Sequence, residues 1–158
     1  MIEAAQGFVA ALGALATPIN LFHVAWATLL GIFVGSLPGL TATMGVALLT
    51  TLTYTLERDV AILVLICMYV GAIYGGSRSA ILLNIPGTPA SAATSLDGFP
   101  LAQRGQAGYA MALATAGSAL GTIVGIVLLV LIAPPLASVA LNFGSFEFFW
   151  LAVFGIVI

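Results

Sequence analysis

Almost nothing in this sequence is suited to a surface that faces water. Its formal charges are three arginines and five acidic residues, 5% of 158 residues, and there is no lysine. A soluble domain carries roughly 25% charged residues, because it needs them to cover its outside. Hydrophobic residues make up 62% of the chain. The surroundings of most of it must therefore be lipid or the inside of a larger membrane protein. The same scarcity excludes a nucleic-acid partner, since a net charge of −2 with no basic patch has nothing to meet phosphates.

Breakers divide the apolar sequence into candidate membrane segments. Residues 7–16 are apolar but too short to cross a bilayer at about 1.5 Å per residue, and Thr17-Pro18-Ile19-Asn20 breaks that short helix. A first span is expected over 21–37, ending at Pro38-Gly39, and a new helix over 41–56 with Thr41 or Thr43 as its N-cap. Glu57-Arg58-Asp59 reads as a surface loop. A span from 60 to 74 then meets Gly75-Gly76-Ser77-Arg78-Ser79, resumes at Ala80–Leu83 and stops at Asn84-Ile85-Pro86-Gly87. Residues 88–105 read as a polar loop, 106–132 as the longest span, ended by Pro134-Pro135, and 146–158 as the opening of another after a connection at 136–145. The expected fold is thus an all-α polytopic membrane protein. It has five or six membrane helices, some discontinuous or re-entrant at Pro-Gly, in one transmembrane region over 1–158 that forms the N-terminal part of a longer chain.

Glycines recur every four residues at Gly31, Gly35 and Gly39, at Gly71 and Gly75, and at Gly117, Gly121 and Gly125. Small residues at this spacing let helix backbones approach closely in lipid, and the set at Gly117, Gly121 and Gly125 is read as helix packing. Cys67 reads as a small buried hydrophobe and His23 as a hydrogen-bonding member of the bundle. The sequence carries no nucleophile–base pair, metal-ligand cluster or phosphate loop on which an enzyme reading could rest.

Two segments are alike. Ser36-Leu37-Pro38-Gly39-Leu40-Thr41-Ala42-Thr43 and Asn84-Ile85-Pro86-Gly87-Thr88-Pro89-Ala90-Ser91 each place a polar residue, an aliphatic residue and Pro-Gly before small and hydroxyl-bearing residues. A break inside a membrane frees backbone polar groups that cannot face lipid, so it must be buried in protein or line a wet cavity. Discontinuous helices of this kind build transporter sites, with helix N-termini attracting anions and unwound carbonyls coordinating cations. The candidate substrate- or cation-binding residues are therefore Ser36, Pro38, Gly39, Thr41, Thr43, Gly75, Gly76, Ser77, Arg78, Asn84, Pro86, Gly87 and Thr88. Arg78 admits three readings: a substrate contact, an ion pair with Asp97 or Glu147, or snorkelling to an interface. A charge in a membrane segment costs about 2.5–3.5 kcal/mol or more, which demands a partner or water.

Several stretches resemble the large membrane subunit of the tripartite tricarboxylate transporters, the TctA family. They are Gly31-Ile32-Phe33-Val34-Gly35-Ser36-Leu37-Pro38-Gly39-Leu40-Thr41, Tyr74-Gly75-Gly76-Ser77, Ile81-Leu82-Leu83-Asn84-Ile85-Pro86-Gly87 and Leu96-Asp97-Gly98-Phe99-Pro100-Leu101-Ala102. Gly105-Gln106-Ala107-Gly108 and Pro134-Pro135-Leu136-Ala137 add to the likeness, which covers nearly the whole chain in order. The resemblance implies a multi-pass protein of the bacterial inner membrane. Such a protein receives a carboxylate from a periplasmic solute-binding protein, works with a small membrane subunit, and is driven by co-transported Na⁺ or H⁺ without a bound cofactor. It also implies a second half beyond the residues here, needed for a complete site.

The electrostatics fit that implication. One helix N-terminus offers an anion about 0.3–1 kcal/mol, so several carboxylates need two such ends together with an arginine or a cation. A pore of re-entrant half-helices and a non-transporting structural subunit remain as alternatives.

Overall fold

The computed structural model describes Gly13 and residues 16–157, and among these residues every regular element is helical. The short helix expected over 7–16 lies, apart from Gly13 and Ala16, outside them. The elements are α1 (Pro18–Ser36), α2 (Ala42–Thr53), α3 (Arg58–Leu83), a 3₁₀ turn (Pro89–Ser91), α4 (Ala92–Leu101), a π turn (Ala102–Gln106), α5 (Ala107–Ala140) and α6 (Ser145–Val157). They fall into two compact units, Met1–Thr115 and Ala116–Ile158.

In the first unit, Pro18 opens α1 where its missing N–H is not needed, and the Thr17 hydroxyl accepts from the Asn20 N–H at 3.4 Å. Thr17 thus caps α1, and Pro18–Asn20 form its first turn. Further along, the His23 Nδ1 accepts from the Trp26 indole N–H at 3.0 Å. Proline disfavours helix in the residue before it, and Leu37, before Pro38, is extended at φ −84°, ψ 116°. Gly39 then takes φ +93° with nothing within 4 Å of where a Cβ would lie. Thr41 caps α2 by accepting from the Met44 N–H at 3.2 Å. The two positions act through separable effects. Gly39→Ala is expected to cost about 1–2 kcal/mol through backbone strain alone, and Thr41→Ala about 1 kcal/mol through the lost cap. Thermal unfolding of the purified variants checks both, with Thr41→Ser, which keeps the cap, expected to match the parent.

The second interruption differs from expectation. Through Gly75-Gly76-Ser77-Arg78-Ser79 the helix runs on without a break, and α3 ends only at Asn84, whose left-handed φ of 58° places its N–H on the Ala80 carbonyl. Glycines lower helix propensity but do not stop a helix that tertiary packing holds, and here packing holds it. A Cβ on Gly31 would fall on the Met68 carbonyl, one on Gly35 on the Ala72 carbonyl, one on Gly71 on the Thr28 carbonyl and one on Gly75 on the Ile32 carbonyl. Residues 28 to 35 of α1 thus climb alongside 68 to 75 of α3 in the same order. The two helices run parallel, with α2 returning between them in the chain. Gly45 of α2 lies against the Met68 side chain, and Ala27, Ala42, Leu49, Val64, Met68 and Ala72 form the buried core.

Residues 88–105, expected as a polar loop, are helical for most of their length, through the 3₁₀ turn, α4 and the π turn. Gly105 is the one non-helical residue in that π turn, at φ 78°.

In the second unit, Pro134 and Pro135 were expected to end the long helix, yet α5 continues to Ala140. Proline keeps a helical φ, so the pair can sit inside a membrane helix, with the carbonyls of Val130 and Leu131 the ones it frees. α6 starts where the Gly144 N–H donates to the Glu147 carboxylate at 2.8 Å. The packing role expected for Gly117, Gly121 and Gly125 is not met among the described residues, none of which lies within 4 Å of a Cβ on any of them.

Among the described residues, three helical stretches are long and apolar enough to cross a membrane: Pro18–Ser36, Arg58–Leu83 and Pro89–Ala140. This is fewer than the five or six expected. The 12 residues of α2 rise only about 18 Å against a hydrocarbon core of about 30 Å.

Candidate functional site

Because α1 and α3 run parallel, both Pro-Gly breaks emerge at the same end of the helix pair. The levels also match, although α3 overshoots. Gly35 of α1 stands beside Ala72, while α3 continues to Leu83 before its break. Asn84 then turns the chain back. Gly87 returns to the level of Gly76, donating its N–H to the Gly76 carbonyl at 3.5 Å. A Cβ on Gly87 would meet the Gly35 carbonyl, the Gly76 Cα at 2.9 Å and the Ser79 hydroxyl at 3.0 Å. A Cβ on Gly76 would meet Thr88 at 3.0 Å. Three backbone segments therefore touch without side chains between them: the last turn of α1, the middle of α3 and the returning Gly87-Thr88.

Hydroxyls line this junction. Ser36 donates to the Ile32 carbonyl at 2.6 Å with the Gly75 carbonyl at 3.5 Å, and Ser79 donates to the Gly76 carbonyl at 3.0 Å. Ser91 donates to the Thr88 carbonyl at 2.7 Å and accepts from the Thr88 N–H at 3.2 Å and its hydroxyl at 3.3 Å. Of the four buried polar residues among those described, Thr53, Ser79, Thr88 and Ser91, three belong to this region. The junction is built of neutral oxygens and N–H groups. Its chemistry suits hydrogen bonding to an anion or oxygen coordination of a hard cation, and no group of three His, Cys, Asp or Glu that could hold a metal occurs among the described residues.

The candidate residues separate into three places. Ser36, Gly75, Gly76, Gly87 and Thr88 meet at the junction. Asn84 and Pro86 shape the exposed turn that leads back to it. Pro38, Gly39, Thr41 and Thr43 form the first break, with the Thr41 and Thr43 hydroxyls 3.1 Å apart. Ser77 does not reach the junction through its hydroxyl, which donates to the Tyr74 carbonyl of its own helix at 2.7 Å.

Arg78 lies two residues, or about 200° round the helix, from Gly76, and it points elsewhere. Its NH1 donates to the Met111 carbonyl at 2.8 Å, its NH2 to the Thr115 hydroxyl at 2.6 Å, and its guanidinium carbon stands 4.0 Å from the Tyr74 ring centroid. Those donors engage neither carboxylate named from the sequence. Asp97 is exposed on α4, and Glu147 caps α6. Sequence reasoning missed Tyr74, Met111 and Thr115 as partners. The i, i+4 spacing of Tyr74 and Arg78 was a usable signal for the first; nothing local marks the other two.

Comparison with known proteins agrees with this architecture. Residues 21–158 match the family described as the tripartite tricarboxylate transporter TctA family. An uncharacterised 52.8 kDa protein of Agrobacterium vitis, from the TAR-I ttuC′ 3′ region, is 44% identical over 142 residues, 90% of this chain and 28% of the relative. The chain thus spans a little over a quarter of that relative's length. No solved structure matches. The match over residues 21–158 places this chain in the TctA family.

Proposed function

We propose that this chain forms part of the permease subunit of a tripartite carboxylate transporter in a bacterial inner membrane. In this reading a periplasmic solute-binding protein delivers a tricarboxylate or similar organic anion, a small membrane subunit accompanies the permease, and co-transport of Na⁺ or H⁺ drives uptake. The observation that carries it is the return of the second break onto the last turn of α1, just before the first break, where Gly87-Thr88 lies on the backbone of Gly35 and Gly76. Membrane proteins keep irregular backbone at depth where it lines a cavity or is buried in protein, and transporters place binding sites at such interrupted helices. Family membership supports the same reading, since the family is named for tripartite tricarboxylate transport.

Counterflow tests it. Proteoliposomes carrying the full-length permease with its small subunit, and supplied with the binding protein, are preloaded with unlabelled citrate and given labelled citrate outside. A carrier is expected to accumulate label transiently, with saturation, and to lose net uptake when the Na⁺ and H⁺ gradients are collapsed. Flux that rises linearly with citrate and shows no exchange would identify a pore, and this reading would fall.

A further inference from the structure

We propose that Arg78 is a positioning residue, a latch that holds the first turns of α5 onto α3. Met111 and Thr115 are one helical turn apart, and the Thr115 hydroxyl donates back to the Met111 carbonyl at 2.7 Å. That bond brings two acceptor oxygens side by side, close to the spacing of the two oxygens of a carboxylate. The guanidinium meets the pair as it would meet a carboxylate, with NH1 on Met111 at 2.8 Å and NH2 on Thr115 at 2.6 Å.

Tyr74 completes the arrangement from α3. Its ring lies under the guanidinium, and its hydroxyl is 3.5 Å from Thr115. Thr115 spends its one hydrogen on Met111, so the Tyr74 hydroxyl is the donor in that contact. Aiming both arms at α5 leaves the Arg78 Nε buried without a partner.

The geometry explains why an arginine stands here. A lysine carries a point charge and cannot reach two oxygens with a planar fork. It also separates Arg78 from the substrate role. A substrate carboxylate would have to displace both α5 acceptors before reaching NH1 or NH2. In this chain the other contacts of residues 107–115 are slight, with Ala110 the one buried residue among them. The latch is thus the polar tie that fixes where the start of α5 stands beside the segment bearing Gly75 and Gly76.

The test uses the full-length transporter, purified for thermal unfolding and reconstituted for uptake of labelled citrate. Arg78→Lys and Thr115→Val should each lower the unfolding midpoint. The double variant should fall no further than the larger single effect, because both changes break one unit. Thr115→Ser, which keeps the hydroxyl, should restore the parent midpoint. Maximal uptake should drop about tenfold in Arg78→Lys and Thr115→Val alike, through misplacement of α5, with KM within about twofold of the parent because neither residue touches the substrate. Additive midpoint changes would overturn the latch. So would a KM that rises in Arg78→Lys and stays normal in Thr115→Val, since that pattern marks direct contact with the anion. A parent chain that takes up no citrate counts against the transport reading alone, as the midpoints judge the latch without it.

Discussion

Gly35→Ala in the full-length transporter should leave little folded protein in the membrane, whereas Gly45→Ala should be well tolerated. Both glycines are buried, and a Cβ on either meets another atom. They differ in what must move. At Gly35 the added carbon meets the Ala72 carbonyl oxygen, its carbon at 2.6 Å and its Cα at 2.6 Å, all backbone of α3. Two helix backbones in contact cannot yield locally, so relief requires α1 and α3 to separate. The separation would undo the neighbouring Gly31, Gly71 and Gly75 contacts as well. Overpacking of a core typically costs about 1–3 kcal/mol, and the rigid case sits at or beyond the upper end of that range.

At Gly45 the added carbon meets the Met68 Sδ at 3.1 Å, the Val34 Cγ1 at 3.1 Å and the tip of the Met68 side chain. Methionine has three rotatable bonds and adapts, so the cost there should stay under about 1.5 kcal/mol. Fluorescence-detected size exclusion with thermal ramping reads both variants. A monodisperse Gly35→Ala protein with the parent midpoint would show that the two helices have room to spare, contrary to the contacts seen.

The contrast bears on how much could be read in advance. The apolar class, the break at Pro38-Gly39 and the Thr41 cap rest on local rules of composition, proline geometry and capping chemistry, whereas four-residue glycine spacing alone does not tell the packed set at Gly31, Gly35, Gly71 and Gly75 from the unpacked one at Gly117, Gly121 and Gly125. The misreadings share one cause. Gly75–Ser79, residues 88–105 and Pro134-Pro135 each look like interruptions because in water each would weaken a helix. In the protein, α1 packs along Gly75, Ser79 bonds its own helix, and the helical φ of proline lets α5 run through Pro134-Pro135. A helix survives weak propensity when neighbours satisfy its backbone, and those neighbours are distant in sequence. The same blindness hid the partners of Arg78, which lie 33 and 37 residues away. It also hid the junction itself. Two similar breaks are visible in the sequence, but the return of the second onto the last turn of α1 depends on α3 overshooting α1 by about two turns and on Asn84 turning the chain back.

Gly87→Ala should abolish uptake while leaving most of the protein folded. The clash is as severe in distance as at Gly35, since the added carbon meets the Gly35 carbonyl and comes within 2.9 Å of the Gly76 Cα. The route of relief is different. Gly87 lies between α3 and the 3₁₀ turn at Pro89–Ser91, in non-helical backbone between the exposed Pro86 and the buried Thr88. This segment can swing outward, breaking the Gly87–Gly76 hydrogen bond at 3.5 Å, and leave the α1–α3 contact intact. The stability loss should therefore fall in the ordinary overpacking range of about 1–3 kcal/mol. The proposed site has no such alternative, because the approach of Gly87-Thr88 to Gly35 and Gly76 is what brings the second break onto the last turn of α1. Displacements near 1 Å in a positioned site can cost about a hundredfold in rate, and this clash exceeds that. Citrate uptake, normalised to folded protein, should fall by about that factor or more. Pro86→Ala, one residue earlier and exposed, should keep most of its activity. Uptake at the parent level in a folded Gly87→Ala protein would remove the junction from the transport path and leave the first break, Pro38 to Thr43, as the place to look for the anion.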